Sequence, residues 1–458
     1  MVLASSVYSQ PLFSVLSNVV PNTDHPDTSF LLLLAGGFCA FIVSYLLIFL
    51  VAKLSRKFNL LRRVEPGRTP DRVPRLGGVA IYLAFVVSSL IFYLHNPDLK
   101  PDEQLIYWLF LAAATLIVAV HAYDDVKPLK PLPKLLAQTL AVIIVMGPFF
   151  NGKFNGVLLF GFSNPFQSLS SGVVPFYHGG TVNILIQNTD IRLLAIPAVL
   201  FTWFWMVGMM NTVNLIDGLD GLAGGVVAIT AIFIAITSWV LAQYTIAVLA
   251  AIFAGAVLGF LPHNWNPAKM FMGDSGSQFL GLALAVLSIM GGAKIALALM
   301  VLGVPILDVA IVLINRIRRG QHPLHYDRTH LHYRLQATGL RVRQICYIFY
   351  GLTILFGVLA LSFGHFFKLI GIALVMATMT GLIIWIDSRQ QHRGLRVKLD
   401  KSDPGAQSAM DKLSATEVPA TEVPATDPIE FEPEPVQQST SEKDSEVVNS
   451  ISRLPHSL

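Results

Sequence analysis

Charge is what this sequence has least of. Asp, Glu, Lys and Arg make up only 13% of its 458 residues, while 54% are apolar. Soluble domains carry about 25% charged residues, so the deficit excludes an ordinary soluble protein and points to a lipid bilayer. Cysteine is nearly absent too. Cys39 and Cys346 are the only two, and both fall inside apolar runs. That excludes a disulfide framework or a cysteine metal cluster, and both read as small buried hydrophobes. The third absence is local: Met1–Ser29 contains no Lys or Arg. A secretory signal needs a basic first region, so residues 1–29 read as a short, retained external segment.

What the sequence does have is long apolar runs. A helix needs about 20 mostly apolar residues to cross the hydrocarbon core. That rule predicts spans at Phe30–Ala52, Leu76–Leu94, Gln104–Ala122, Lys134–Phe150, Leu193–Thr212 and Leu222–Leu241. Further spans are expected at Thr245–Leu261, Ser277–Gly292, Ile295–Ile314, Ile345–Phe363 and Leu369–Ile386. The expected fold is therefore an all-α polytopic membrane protein with about eleven transmembrane helices, confined to residues 30–387.

Basic residues orient it. The loop after the first span carries Lys53, Arg56, Lys57, Arg62, Arg63, Arg68, Arg72 and Arg75, and the loop after the ninth carries Arg316, Arg318, Arg319, Arg328, Arg334, Arg341 and Arg343. Loops of opposite parity hold only Lys100, Lys153 with Arg192, Lys294 and Lys368. Excess Lys and Arg mark the cytoplasmic side, which puts the N-terminus outside and the C-terminus in the cytoplasm. The protein is expected in the plasma (inner) membrane. On the outer face, Val157–Phe162 and Val182–Gln187 are expected to pair as a small hairpin. Residues 388–458 read as a cytoplasmic tail. From Ala415 the sequence Ala-Thr-Glu-Val-Pro occurs twice in succession. Such a Pro-, Glu- and Thr-rich stretch buries too little apolar surface to fold, so Asp400–Leu458 is expected to be disordered.

The acids collect on the cytoplasmic side. His121-Ala-Tyr-Asp124-Asp125 closes the third span. Asn214-Leu-Ile-Asp217-Gly-Leu-Asp220-Gly links the fifth and sixth spans. Asn264 opens a loop that ends in Phe271-Met-Gly-Asp274, and His330-Leu-His332 lies between the ninth and tenth spans. Taken singly, each has an ordinary explanation, since Asp-Gly pairs are common turn chemistry. Together they oppose the local charge bias, and an acid at the bilayer edge costs insertion energy unless partnered. Four such loops on one side can converge on one site. Carboxylates without Cys ligands favour a hard cation, Mg2+ or alternatively Mn2+, over zinc. Arg and His nearby supply clamps for phosphate oxygens. Carboxylates, magnesium, cations and a membrane address together suggest phosphoryl transfer involving a lipid phosphate or diphosphate.

These residues resemble the polyprenyl-phosphate N-acetylhexosamine-1-phosphate transferases, in motif order and intervening spans, over roughly Leu31–Ile386. The Asp-Arg-Thr-His-Leu-His form of the last loop is similar to the branch using UDP-N-acetylglucosamine; the muramoyl-pentapeptide branch usually has three consecutive histidines there. The resemblance implies transfer of N-acetylhexosamine-1-phosphate from a UDP-sugar to undecaprenyl or another polyprenyl phosphate, releasing UMP. It makes Asp274 the principal magnesium ligand, with Asp217 lining the same nucleotide–metal site. One of Asp124 and Asp125 becomes the base or positioning group for the lipid phosphate. Phe271 matches a uracil-stacking position, Asn214 and Asn264 match nucleotide contacts, and Lys134 matches a lysine near the phosphates. Arg328, His330 and His332 would clamp phosphate or sugar. The implied partners are the UDP-sugar, polyprenyl phosphate and membrane lipid; no nucleic acid is expected, and homodimerisation is left open. Relatives commonly have a second His after His332, where this chain has Tyr333, so any contact made there passes to His332, Tyr333 or Arg334.

Two residues stand outside that set. Asp308 lies inside the ninth span, where an acid marks either function or a helix-to-helix hydrogen bond. Arg68–Gly78, ending in Pro74-Arg-Leu-Gly77-Gly78, resembles the family's first basic loop and could meet lipid or nucleotide phosphate, although anionic headgroups alone would account for its arginines. The competing reading from another class is a transporter of lipid or nucleotide sugar. A transporter would place ionisable groups near the bilayer midplane in related halves, whereas here they gather at one face.

Overall fold

The computed structural model describes residues 26–58, 60–63, 72–150, 153–158, 161–163, 173–175, 195–290, 295–318, 330–362 and, apart from 372, 379 and 387, 371–388. All belong to one compact unit, Met1–Arg393. The tail, including Asp400–Leu458, lies outside the described residues.

The unit is a helical bundle. In chain order the helices are α1 (Pro26–Lys57), α2 (Gly77–Phe92), α3 (Pro101–Val126), α4 (Pro131–Met146), α5 (Ala195–Ile216) and α6 (Leu222–Val240). They continue with α7 (Tyr244–Asn264), α8 (Gly273–Met290), α9 (Ile295–Val301), α10 (Gly303–Arg318), α11 (Leu331–Ala337) and α12 (Val342–Ser362). A further apolar helix, α13, covers Ala373–Ile386. Seven of the described helices are long and apolar enough to cross a membrane, so the chain is a multi-pass membrane protein. The shorter α2, α4 and α13 are apolar as well. Apart from end residues, the described residues of the predicted spans are helical except in two: the fourth stops at Met146, with Phe149–Phe150 in a strand, and the ninth is interrupted. The ninth is broken between α9 and α10, where Pro305 has no N–H to return to the Val301 carbonyl.

Helix α8 runs through the middle of the bundle, packed by α2, α3 and α5. Because protein rather than lipid surrounds it, it tolerates Ser277, Gln278 and Ser288, all buried. Each is satisfied: Asn214 Nδ2 donates to Ser277 Oγ (2.8 Å), Gln138 Nε2 to Gln278 Oε1 (2.8 Å) and Trp205 Nε1 to Ser288 Oγ (3.1 Å). Helix α1 is the opposite case. It leaves Leu31, Phe38, Leu46 and Phe49 exposed, as a lipid-facing surface requires, and packs its other side on α7 and α2.

Short antiparallel strand pairs lie in the loops. β1 (Leu61–Arg63) pairs with β2 (Arg72–Pro74), β3 (Phe149–Phe150) with β4 (Lys153–Phe154), and β5 (Gly161–Ser163) with β6 (Val173–Pro175). Of the expected hairpin, Gly161 and Phe162 lie in β5, whose partner is Val173–Pro175, while Val182–Gln187 lies outside the described residues.

Candidate active site

The site grows from the N-terminus of α8. Its first residue, Gly273, has φ of +77°, and a Cβ there would lie 2.5 Å from Asp125 Oδ2. Only glycine fits this turn. The turn aims the first backbone N–H groups of α8 at the end of α3, where Asp125 receives them. Asp274 N donates to Asp125 Oδ1 (2.8 Å), and Ser275 donates to Oδ2 from both N (3.1 Å) and Oγ (2.8 Å). Asp125 is therefore the cap of a distant helix, a fully buried carboxylate set against the positive end of the α8 dipole.

The segment before α2 closes on the same turn. Phe271 N donates to Pro74 O, Gly77 N to Phe271 O and Gly78 N to Met272 O. A Cβ on Gly78 would lie 2.1 Å from Gly276 N, so the Gly77-Gly78 pair exists to let two helix N-termini touch. This approach delivers Arg75, a residue outside the predicted set. Its Nε lies 3.0 Å from Asp125 Oδ1 and its Nη2 2.9 Å from Asp274 Oδ1. Lys134, from the first turn of α4, makes the matching pair: its Nζ lies 2.6 Å from Asp124 Oδ2 and 3.0 Å from Asp274 Oδ2. Leu129 N donates to Asp124 Oδ1 (2.7 Å). The side chains of Asp124 and Asp125 are 4% and 0% exposed, those of Asp274, Arg75 and Lys134 20%, 23% and 28%. Asp274, held between two cations, forms the open mouth.

Asp217 faces this cluster from the turn after α5. Burial and the negative charge of Asp274 push its carboxyl well above the usual range, and Arg75 opposes the shift. The same turn meets the histidine loop, for a Cβ on Gly218 would lie 2.5 Å from His332 Nε2 and 2.8 Å from the Tyr333 hydroxyl. His330 and His332 are buried, with rings nearly parallel at 5.9 Å. Among the described residues, His330 Nε2 and both His332 nitrogens have no hydrogen-bond partner, and burial pulls the His332 imidazole down to about 4. Tyr333 packs on His332 with ring centroids 4.2 Å apart, so the departure from the family pattern lies at the site.

The remaining predicted residues divide. Asn214 reaches α8 at Ser277. Phe271 is partly exposed at the turn before Asp274. Asn264 is not brought to the mouth: it is buried, receives Gly221 N–H at Oδ1 (2.9 Å) and donates from Nδ2 to Met270 O (3.0 Å), tying two loops together. Asp220 does similar work, its Oδ2 accepting from Asn266 Nδ2 (2.9 Å) and Ala268 N (3.0 Å). Arg328 lies outside the described residues.

Two deep-seated carboxylates, a more open one between a guanidinium and an ammonium, and a further acid opposite bring charges of both signs together at one end of the bundle. Residues 107–292 match the family model described as glycosyl transferase family 4. The chain is 29% identical to a probable undecaprenyl-phosphate N-acetylglucosaminyl 1-phosphate transferase of Bacillus subtilis, over 75% of this chain and 92% of the relative. It is 30% identical to a decaprenyl-phosphate N-acetylglucosaminephosphotransferase of Mycolicibacterium smegmatis, over 68% and 78%. It is 28% identical to the phospho-N-acetylmuramoyl-pentapeptide-transferase of Bacillus subtilis, over 66% and 88%. Sequence motifs, site geometry and relatives converge: this chain belongs to the polyprenyl-phosphate N-acetylhexosamine-1-phosphate transferases of glycosyl transferase family 4.

Proposed function

We propose that the chain transfers N-acetylglucosamine-1-phosphate from UDP-N-acetylglucosamine to polyprenyl phosphate, with undecaprenyl phosphate as the acceptor, releasing UMP and starting a lipid-linked cell-envelope glycan. The observation that carries this is Asp274, exposed between Arg75 and Lys134. Phosphoryl transfer needs positioning and charge neutralisation more than covalent help. Arg75 and Lys134 can pass from carboxylate to phosphate oxygens as substrates arrive, because both prefer charged acceptors. Asp125 is engaged by fixed helix N–H groups, whereas Asp124 Oδ2 is held by Lys134, a cation that can move to a phosphate oxygen, so we assign Asp124 as the member of the pair that meets the lipid phosphate. A lipid-phosphate oxygen then attacks the β-phosphorus and UMP departs.

Magnesium, or manganese in its place, fits the donor set. Asp217 and Asp274 repel one another, a repulsion that a divalent cation between them would relieve. Among the described residues no three acidic, His or Cys side chains form a metal cage. That suits magnesium, which takes one or two carboxylates and completes its shell with phosphate and water. When bound, the ion supplies charge neutralisation at the diphosphate. The asymmetry of Lys and Arg supports a cytoplasmic site in the plasma membrane, an external N-terminus and about eleven spans.

The test is purified protein with polyprenyl phosphate and a panel of radiolabelled UDP-sugars, with and without magnesium. Label entering lipid from UDP-N-acetylglucosamine only with magnesium is expected. Transfer from UDP-N-acetylmuramoyl-pentapeptide alone would reassign the substrate, and vesicle uptake without transfer would favour the transporter.

A further inference from the structure

Asp308 is 6% exposed within α10, well away in sequence from every acid motif. Both of its carboxylate oxygens reach the histidine loop. Oδ2 lies 3.1 Å from His330 Nδ1, and Oδ1 accepts the Leu331 N–H at 2.8 Å. Leu331 is the first residue of α11, a helix whose own N-cap, His330, supplies no side-chain cap. One oxygen therefore holds the ring and the other holds the turn that carries it. With Nδ1 engaged, Nε2 is the only ring atom of His330 left for a ligand, and it is buried without a partner. The ring lies parallel to that of His332, whose Nε2 sits against Gly218 beside Asp217. A buried acid facing an apolar bilayer requires a partner; this one reaches the histidine loop with both oxygens.

We propose that Asp308 is a positioning residue that acts through His330, fixing its ring orientation and its Nδ1–H tautomer so that the bare Nε2 is presented as an acceptor to a hydroxyl of the sugar. Carboxylates behind histidines play this part elsewhere, and their loss costs about 10–100-fold in function. The inference rests on reading His330 as a substrate contact. It differs from a plain helix-to-helix bond in one consequence: without the His330 ring, Asp308 Oδ2 has nothing left to position, and Oδ1 keeps only the Leu331 N–H that an asparagine also satisfies.

The experiment is a double-mutant cycle on the full chain, measuring kcat and KM for both substrates in Asp308→Asn, His330→Ala and the double variant. An asparagine keeps the size and an acceptor for Leu331 N–H, but its amide can face Nδ1 with a donor, forcing the opposite tautomer. The expected result is a kcat lowered by about 10–100-fold in Asp308→Asn with KM nearly unchanged, and no further loss in the His330→Ala background. An equal loss in both backgrounds, or wild-type kcat in Asp308→Asn beside an inactive His330→Ala, overturns the inference alone. Wild-type activity in His330→Ala overturns the substrate-contact reading and the inference with it. Should Asp308→Asn fail to fold, 15N spectra of histidine-labelled wild-type protein, assigned by difference with His330→Ala, still decide. A protonated Nδ1 is expected; a bare Nδ1 with a protonated Nε2 overturns the proposal.

Discussion

The acid half of the site, at the ends of α3, α4 and α8, has every oxygen of Asp124, Asp125 and Asp274 in a bond. The histidine half, on α11 against the α5–α6 turn, holds three buried ring nitrogens with no partner. The first is assembled before any substrate arrives, with three carboxylates set against two cations and a helix N-terminus. Its cations are the exchangeable part, because Arg75 and Lys134 are on the open side. The second keeps polar atoms that have no partner among the described residues and are costly to bury unpaired. One half therefore stores charge for exchange, and the other supplies vacant hydrogen-bonding positions.

The largest way to break this contrast is Asp274→Asn. It removes the charge at the mouth while leaving Asp125 on Arg75 and Asp124 on Lys134, so UMP release should fall by about a thousandfold or more with little change in thermal midpoint. Asp125→Asn should also lose most turnover, but for a different reason. Taking one partner out of a buried charge pair costs about 3–5 kcal/mol, so the midpoint in detergent should drop clearly. Equal midpoints for the two variants would end the division between a mouth residue and a helix cap. In the histidine half, His332→Gln should lower kcat by about 10–100-fold, the scale of removing one positioned polar group, and leave the fold intact. Wild-type turnover would place the ring outside the chemistry. The smallest effect is in pH. His332 sits at about 4 in the folded chain against an ordinary 6.5, so the unfolded state binds its proton first. Stability is retained above 6.5 and declines as pH falls toward 4, by about 3 kcal/mol at most. Urea midpoints measured between pH 7 and 5 should show that slope in the wild type and a shallower one in His332→Gln.

Much of this was legible without coordinates. Apolar runs located the helices, and Asp124, Asp125, Asp217, Asp274, His330 and His332 stood out as polar groups where the bilayer disfavours them. Arg75 did not stand out. It is one arginine in a loop already rich in basic residues, and lipid headgroups explain such a loop equally well. Only the close approach of Gly78 to Gly276 singles it out. Asn264 shows a role the sequence did not display: its type and place suit a nucleotide contact, and the structure adds that both ends of its amide tie two loops together through backbone. Asp308 was visible as an intramembrane acid, yet its partner was not.

The sequence by itself determined that this is a multi-pass membrane protein, because hydropathy is a local property that the bilayer sorts strongly. It also carried the family, since the motifs recur in order. The tertiary structure decided the division of labour among the acids. Asp274 draws its partners from Lys134 and Arg75, 140 and 199 positions away. A carboxylate's role depends on the charges and N–H groups within a few ångströms, and packing of α2, α3, α4 and α8 alone supplies those.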